Sequence, residues 1–476
     1  MRRARDPRVL LWTAVAAYAA GFSSLAILRH RAFNTGRFDL GNMVQAVWST
    51  AHGDPLAVTD LQGDQIVRLG AHVDPILVLL APLWRLWPSP NMLLTVQATA
   101  VALGAIPVFW LACKHLTSER AALGFALAYL LYPAGQWMTL SDFHPVALAC
   151  PLLLFAFWYL DEGRLLPFGL CAAVAALGKE HVPLAVAGLG VWYAVSRGKR
   201  FAGALIAAAG VAATAFAVGV VVPHFNAGGE SGFYSRYREV GGSPGGIART
   251  LVTDPLRLLE EAFDARGLVY LAELAGPILG LPLLAPVAVI AALPELALNL
   301  LSATRTQTSV HFHYSATVIP VFFAAAVLGA ARIARRRRAL VVPLGVAAAV
   351  ASLASTYALG AIPLTAALPG GESLQSDAWR SSEHDRSARR ALALIPADDV
   401  VSASNSLGAH LSARERILSF PYVQDARWIA VDETSPGYAD RIAPLAMAAS
   451  IRRIRSDPGW RLVFSQDGVL VFRRAP

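Results

Sequence analysis

The chain has 476 residues, of which 55% are hydrophobic and 15% are charged, whereas an ordinary soluble domain carries about 25% charged residues. This deficit excludes a disordered protein or one that coats nucleic acid, and the mean hydropathy of +0.49 indicates that most of the chain lies in lipid. Lysine and arginine (41) exceed aspartate and glutamate (32). In a membrane protein such an excess marks the cytoplasmic loops. The three cysteines fall in apolar runs, which argues against a disulfide framework and a thiol-ligated metal.

About eleven apolar segments are candidates for membrane-spanning helices, because about 20 apolar residues cross the ~30 Å hydrocarbon core. Arginines precede the first segment, which is typical of an uncleaved signal anchor, with a cleavable signal peptide as the alternative. The stretch from His72 to Pro88 is apolar but broken by prolines and Arg85, so we expect it to lie in the membrane interface. The candidate segments are 8–28, 90–112, 120–138, 145–160, 164–178, 181–196, 201–222, 267–284, 286–301, 313–333 and 339–360.

The positive charges favour one orientation. With the N-terminus in the cytoplasm, the basic loops at Lys114, Arg164, Arg197 and Arg335–Arg338 all lie on the cytoplasmic side. We therefore expect a multi-pass protein of the plasma (inner) membrane, and we interpret the arginine run as a topology anchor rather than a nucleic-acid site. The same parity places outside the cytoplasm the loop 29–89, the loop 223–266 and everything after residue 360.

The C-terminal part of the chain is charged, and apolar and polar residues alternate along it. Val400–Ser404, Trp428–Asp432 and Leu462–Arg473 have the pattern of strands, the last with Asp467-Gly468 as a hairpin turn. Helical patterns near 382–395 and 440–456 separate them. The predicted fold class is mainly α: a polytopic transmembrane helical protein over residues 1–362, followed by a small extracytoplasmic α/β domain over 363–476.

Asp39 is the first candidate functional residue. It lies in GRFDLGN, just after the first apolar segment. An acidic side chain is costly at lipid level and therefore indicates function. The alternative is that Asp39 caps the short amphipathic helix expected at Phe38–Ser49, since aspartate is a favoured N-cap.

Two aspartate–histidine pairs precede prolines, His72 with Asp74 in AHVDP and Asp142 with His144 in SDFHP. Because proline favours an extended conformation before it, we expect both polar side chains of each pair on one side of the chain. Such pairs orient a base, bind phosphate or hold a cation. Mg²⁺ or Mn²⁺ at Asp142 and His144 is compatible with the pattern but not required by it. The alternative is that Asp142 caps the next helix and His144 packs beneath it.

Further polar residues interrupt apolar sequence on the same side. Lys179, Glu180 and His181 are consecutive in GKEH, which is costly unless they face a cavity or one another; a simple Lys179–Glu180 ion pair is the alternative. The glycine-rich loop 223–246 offers tyrosines and arginines suited to phosphate or sugar, although a solvated linker has the same composition. Other donors are Arg236 in that loop and Arg305, His311, His313 and Tyr314 in RTQTSVHFHYS, where the histidine spacing resembles a metal pair.

The order of several motifs resembles a known family. FDLGNMVQAVW, HVDPILVLLAPLW, LLYPA with SDFHP, GKEH, RYREVGGSP, and LPELALNLL with HFHYSA together resemble domain-of-unknown-function family 2079, a group of predicted polytopic membrane proteins. The resemblance covers nearly the whole chain. That family is similar in layout to the GT-C glycosyltransferase superfamily, whose members transfer a sugar from a polyprenyl-phosphate donor outside the cytoplasm.

The resemblance implies roles for two aspartates. Asp39 would correspond to the acidic residue of the first outer loop that acts as general base. Asp142 would correspond to a second acidic position that binds a divalent metal in some members, although Asp-Phe-His-Pro lacks a doubled acid here.

The leading hypothesis is an integral membrane glycosyltransferase of GT-C type. Its donor would be a polyprenyl-phospho-sugar held by membrane lipid, and its acceptor a cell-envelope glycan or protein. The remaining polar residues would bind phosphate and substrate. A transporter or flippase for a lipid-linked substrate and a non-catalytic envelope scaffold are the alternatives. The sequence lacks a P-loop, which argues against nucleotide hydrolysis.

Overall fold

The structure, a computed structural model, describes residues 6–227, 232–363, 373–437, 439–442 and 444–475. The predicted boundary at 362/363 adjoins residues 364–372, which lie outside the described residues, as do 228–231 of the predicted loop 223–246. The helices are α1 Pro7–Arg31, α2 Asn42–His52, α3 Ala81–Leu86, α4 Pro90–Leu103, α5 Ala105–Leu116, α6 Glu119–Leu130, α7 Pro133–Leu140, α8 Pro145–Asp161, α9 Leu165–Ala176, α10 Val182–Ser196, α11 Arg200–Phe216, α12 Val222–Phe225, α13 Pro244–Thr253, α14 Pro255–Ala262, α15 Ala265–Ala275, α16 Pro286–Val289, α17 Leu293–Leu300, α18 Val318–Arg336, α19 Val341–Leu359, α20 Glu383–Leu392, α21 Asn405–Leu411 and α22 Pro444–Ser456. The strands are β1 Ala57–Thr59, β2 Gln65–Val67, β3 Val401–Ala403, β4 Ile417–Ser419, β5 Trp428–Asp432, β6 Trp460–Gln466 and β7 Val469–Arg474.

The chain is mainly helical with a small C-terminal β-sheet, which confirms the predicted fold class of a helical membrane protein with a C-terminal α/β part. In the described part of the chain, five helices are long and apolar enough to cross a membrane, and further apolar helices are shorter. Two predicted spans are broken, at Pro133 between α6 and α7 and at Pro277 after α15. Proline lacks an N–H and restricts the residue before it, which ends a helix. The long helices are Pro7–Arg31, Pro90–Leu116, Arg200–Phe225, Val318–Arg336 and Arg338–Leu359.

Small residues let the membrane helices approach closely. A Cβ added at Gly124 of α6 would collide with the backbone of Gly345 in α19, and one at Gly345 would meet Ala121. Close packing through small residues is how helices associate in lipid, where burial of apolar surface gives little driving force. Glycine therefore fixes the α6–α19 contact.

The segment between α1 and α4 is more structured than the sequence indicates. The helix expected from Phe38 begins as a π-helical turn, Arg37–Gly41, and continues as α2. The polar stretch after α2 is not a simple loop, because β1 and β2 pair there as an antiparallel hairpin. The predicted interfacial helix is a 3-10 turn, Pro75–Leu80, followed by α3.

The C-terminal α/β domain contains a five-stranded sheet of order β4-β3-β5-β7-β6. Strand β3 pairs in parallel with β4 and β5, whereas β7 pairs antiparallel with β5 and β6. The hairpin between β6 and β7 turns at Asp467-Gly468, where both residues have positive φ, as the sequence predicts. The sequence analysis missed β4, a three-residue strand next to a cis Phe420-Pro421 bond.

Candidate active site

A cavity of about 440 Å³ lies where the segment after α1 meets the beginning of α8 and the residues between α9 and α10. Polar residues of both signs line it together with aromatic rings. The lining is Phe38, Asp39, Asn42, Met43, Val58, Asp60, Leu61, Gln62, Ile66, Arg68, Gly70, Ala71, His72, Asp74, His144, Pro145, Val146, Lys179, Phe225, Asn226, Arg236, His313 and Tyr314.

Asp39 contacts His144 inside this cavity. Asp39 Oδ1 lies 3.4 Å from His144 Nε2, and the aspartate side chain is 46% exposed whereas the histidine is 9% exposed. Gly41, not Asp39, is the N-cap of α2, so the capping alternative for Asp39 is not observed. Desolvation favours the protonated acid, but the contact with His144 and the charges of Lys179 and Arg68 outweigh it and lower the pKa of Asp39. The carboxylate is thus held ionised and accessible.

Asp142 and His144 make different contacts. Asp142 has φ +58°, in the left-handed region rather than extended, and its Oδ2 accepts a hydrogen bond from Gly36 N at 2.9 Å. The extended conformation expected before Pro145 is therefore not observed at Asp142. Asp142 does not cap α8 either, since the N-cap is His144 and no side chain bonds there. Asp142 instead holds the turn that leads into Asp39, and burial together with the charge of Asp39 raises its pKa.

Gln97 of α4 organises this turn, and the sequence analysis missed it. Its Oε1 accepts from His144 N at 2.8 Å, and its Nε2 donates to the carbonyls of Asp142 at 2.7 Å and Thr139 at 3.0 Å. The side chain is fully buried. A glutamine inside an apolar segment was the available signal, because a buried amide must find partners for all its polar atoms.

His144 also stacks on His313, with ring centroids 3.6 Å apart and planes 20° apart. Burial, followed by the charges of His144 and Lys179, lowers the pKa of His313 well below its ordinary value. A neutral His313 can lie against His144 without repulsion. The ring of Tyr314 lies beside His313, at 4.3 Å between centroids.

His72 and Asp74, the other pair, bind different partners although both line the cavity. Asp74 forms a buried ion pair with Arg68, with distances of 2.7 to 3.0 Å from the guanidinium to the carboxylate. His72 Nδ1 lies 3.0 Å from Glu180 Oε1, and Glu180 Oε2 accepts from Val73 N at 3.0 Å. Glu180 thereby fastens the 72–74 turn to the junction between α9 and α10. Both side chains of the His72–Glu180 contact are 19% exposed.

Lys179 is the cation that this junction presents to the cavity. In the described part of the chain no carboxylate lies within ion-pair distance of Lys179, so the alternative Lys179–Glu180 ion pair is not observed. Arg236 and Arg68 line the same cavity.

Two predicted site residues lie outside the cavity. Arg305 is exposed and does not line it. His311 lies apart from His313, against Trp137 with 5.0 Å between ring centroids, so the two histidines do not form the metal pair that their spacing suggests.

Glu295 is a buried acid that sequence reasoning passed over. Its Oε2 lies 3.1 Å from His181 Nε2 and accepts from Thr317 Oγ1 at 3.0 Å. His181, the last residue of the GKEH motif, therefore contacts Glu295 of α17. An acid within the apolar LPELALNLL was the signal available, because ionisable residues within lipid need a partner.

The divalent cation considered from the sequence finds an incomplete ligand set. Asp39 and His144 lie within reach of one ion, but the Oδ2 atom of Asp142 is bound to Gly36 N. The described residues contain no group of three or more His, Cys, Asp or Glu side chains arranged to hold a metal. Mg²⁺ demands near-octahedral oxygen coordination, which this set does not supply.

Comparison with known proteins identifies the family. The family model for DUF2079, described as predicted membrane protein, matches residues 29–471. The chain belongs to this family. The family resemblance inferred from the sequence motifs is thus confirmed. No functionally curated protein matches its sequence.

Two solved structures are similar to this DUF2079 protein. ArnT from Cupriavidus metallidurans bound to undecaprenyl phosphate is 13% identical with a TM-score of 0.52, and the match covers 96% of this chain and 97% of ArnT. The Archaeoglobus fulgidus oligosaccharyltransferase in complex with Zn and sulfate is 11% identical with a TM-score of 0.46, covering 98% of this chain and 73% of that one. The likeness to ArnT confirms the GT-C-like fold expected from the sequence.

Proposed function

We propose that this protein is a membrane glycosyltransferase that takes a sugar from a polyprenyl-phosphate donor and transfers it to a hydroxyl of a cell-envelope acceptor. One observation carries the proposal: an ionised, accessible carboxylate shares one cavity with a lysine that has no ion-pair partner among the described residues. Asp39 and Lys179 both line it, and Lys179 contributes to lowering the pKa of Asp39. A base and a cation are the two groups that the reaction needs.

Asp39 acts as general base in this proposal. The acceptor oxygen attacks the anomeric carbon while its proton passes to the Asp39 carboxylate. The bond between the anomeric carbon and the phosphate oxygen breaks, and its electron pair stays on the polyprenyl phosphate. His144, in contact with Asp39, orients the carboxylate and stabilises its ionised form.

The cations stabilise the leaving phosphate. Lys179 and Arg236 line the cavity along with Arg68. Arg68 is already neutralised by Asp74, so Lys179 is the principal phosphate ligand in this proposal, and Arg236 adds positive charge to the same cavity. Charge that develops on the phosphate oxygens in the transition state is stabilised most where water is excluded. The half-exposed ring of Phe38, at 45%, and the ring of Tyr314 supply faces for a sugar.

The location of the cavity fits a lipid-linked donor. The isoprenoid chain stays in the bilayer, so the reaction must take place at a membrane surface. The cavity lies where helix ends and interfacial segments meet, and we place this end of the protein outside the cytoplasm by the distribution of arginine and lysine. The N-terminus is then cytoplasmic and the C-terminal domain extracytoplasmic. ArnT, which shares the fold, was solved with undecaprenyl phosphate bound.

Binding of undecaprenyl phosphate to the purified protein in detergent tests the phosphate site. We expect Lys179→Met to weaken binding about 10- to 100-fold, since a hydrogen bond to a charged group contributes about 1.5–3 kcal/mol. Lys199→Met is the matched control. Lys199 is an exposed lysine just before α11 and does not line the cavity. Equal affinities of the wild type and the Lys179 variant would remove Lys179 from the phosphate site.

A further inference from the structure

The turn that carries Asp39 lies between two parts of the protein. On one side Gly36 N donates to Asp142 Oδ2 of the membrane domain at 2.9 Å. On the other side Phe38 N donates to Asn405 Oδ1 of the C-terminal domain at 3.0 Å. The backbone on either side of the proposed base is therefore hydrogen-bonded to side chains from distant regions of the sequence.

Arg37 makes the strongest of these connections. Its side chain is almost completely buried, at 2% exposure. Its Nη1 donates to Ser419 Oγ at 2.7 Å, and its Nη2 donates to the carbonyls of Ile417 at 2.6 Å and Thr59 at 2.9 Å. One guanidinium thus joins the Asp39 turn, the β1 strand beside the cavity and the β4 strand of the C-terminal domain.

The turn that carries Asp39 packs closely against helix α21 of the C-terminal domain. A Cβ at Gly36 would lie 2.6 Å from the Asn405 side chain, and one at Gly408 would lie 2.9 Å from Cβ of Arg37. A Cβ within 3.0 Å of another heavy atom would force one of the two groups to shift. The N-terminal residue of α21, Asn405, is itself fixed because its backbone N–H donates to Asp440 at 2.9 and 3.0 Å.

The C-terminal domain also holds the hairpin that lines the cavity. Gln424 Nε2 donates to the carbonyl of Gln62, and Arg416 Nη2 donates to the carbonyl of Gly63. Ile417 N donates to Thr59 Oγ1 at 3.2 Å. Through these bonds the domain touches both the base-bearing turn and the β1–β2 tip, which contributes Leu61 and Gln62 to the cavity.

We propose that the C-terminal domain is a structural wall of the active site, and that Arg37 is a positioning residue that holds Asp39 in reacting geometry by tying its turn to β4. This inference rests on the proposed function for Asp39. The π-helical turn Arg37–Gly41 has no side-chain N-cap bond of its own, so its geometry depends on partners outside it. A base displaced by about 1 Å can lose about 100-fold in rate.

Hydrogen–deuterium exchange of the full-length protein tests the positioning without any assay of transfer. We expect Arg37→Met to raise amide exchange in residues 36–41 and 57–60 at least tenfold. Arg414→Met is the matched control. Arg414 is 5% exposed and bonds the carbonyls of Leu411 and Asp399 at 2.6 Å each, within the C-terminal domain.

Kinetics separate positioning from a general loss of folded protein. Per folded molecule, we expect Arg37→Met to lower kcat about 100-fold while KM for the lipid donor changes less than threefold, because Lys179 and Arg236 are untouched. Asn405→Asp keeps an oxygen acceptor for Phe38 N, so it should retain most activity, whereas Asn405→Leu should follow Arg37→Met.

The outcomes distinguish this inference from the proposed function. Raised exchange in the Asp39 turn for Arg37→Met but not for Arg414→Met, with the kcat loss, supports it. Unchanged exchange in residues 36–41, or an equal rise for both variants, overturns the positioning role of Arg37. If the wild type transfers no sugar while the exchange difference is present, the proposed function fails and the structural tie between the domains stands.

Discussion

Asp39 Oδ1 lies 3.4 Å from Nε2 of His144, and the two side chains reach the cavity from different parts of the chain. Asp39 comes from the turn before α2, whereas His144 is the residue before α8. Among the described residues, His144 Nδ1 is buried without a hydrogen-bond partner. The imidazole is therefore held mainly by its stack on His313 and by its contact with Asp39, and it acts chiefly on that carboxylate.

His144→Phe should move the acid limb of the pH–rate profile to higher pH. Phenylalanine keeps a ring against His313 but removes the contact that lowers the pKa of Asp39. Since Asp39 acts when deprotonated, a higher pKa leaves less active enzyme in acid, and the loss should shrink toward neutral pH. Transfer rates across a pH series measure this. His311→Phe, outside the cavity, is the control, and an unmoved limb in His144→Phe would contradict the assigned contact.

Asp74→Leu should destabilise the protein by about 3–5 kcal/mol, because it leaves the buried Arg68 charge without a partner. The side chains of Arg68 and Asp74 are only 5% and 2% exposed. The double variant Arg68→Met/Asp74→Leu should recover most of this loss, since an apolar pair of similar volume often replaces a buried ion pair at little cost. Equilibrium unfolding in mixed micelles gives both values. A loss below about 1 kcal/mol in the single variant, as for an exposed pair, would show that the pair is not buried in solution.

Glu180→Gln should reduce stability at neutral pH more than in acid. Burial raises the pKa of Glu180, but the charge and hydrogen bond of His72, with Lys179, lower it below its ordinary value of 4.5. A lowered folded-state pKa contributes stability above the unfolded pKa, and this contribution is lost as the pH falls through the folded pKa. The difference in unfolding free energy between wild type and variant, measured at several pH values, should therefore become smaller in acid.

Glu433→Gln is the control for that measurement, because Glu433 pairs with Arg455 at the surface. An exposed pair contributes about 0–1 kcal/mol, so this variant should remain close to wild type throughout. If the difference in unfolding free energy between wild type and Glu180→Gln widened as the pH fell, Glu180 would not be held ionised by its neighbours.

The sequence predicted the membrane part well because lipid imposes strong rules on composition. The helix Pro7–Arg31 and the α18 and α19 helices lie close to their predicted segments, since long apolar runs have few alternatives. Spans that contain Pro133 or Pro277 were predicted whole and are broken. In these segments, the local effect of proline outweighed hydropathy.

The sequence predicted the location of the candidate site better than it predicted the contacts between the site's side chains. Asp39, His144 and Lys179 do line one cavity, whereas Asp142, which adopts a positive φ, does not line it and accepts a hydrogen bond from Gly36 N. That conformation depends on Gln97, which bonds both Asp142 and His144 from another helix. A tertiary contact of this kind leaves no local pattern. Arg37 was missed for the same reason, since its partners Ile417 and Ser419 lie in a short strand near the other end of the chain.

The central claim is that Asp39 is the base of a sugar transfer from a lipid phosphate. Its most direct test is the release of polyprenyl phosphate from a panel of sugar-labelled polyprenyl-phosphate donors by protein reconstituted in membranes with envelope acceptor. We expect wild type and Asp64→Asn, an exposed acid of the same loop that does not line the cavity, to release it and transfer the label. Asp39→Asn should be folded but slower by about 100-fold or more, as expected when a general base is removed. Full activity of Asp39→Asn would contradict the account.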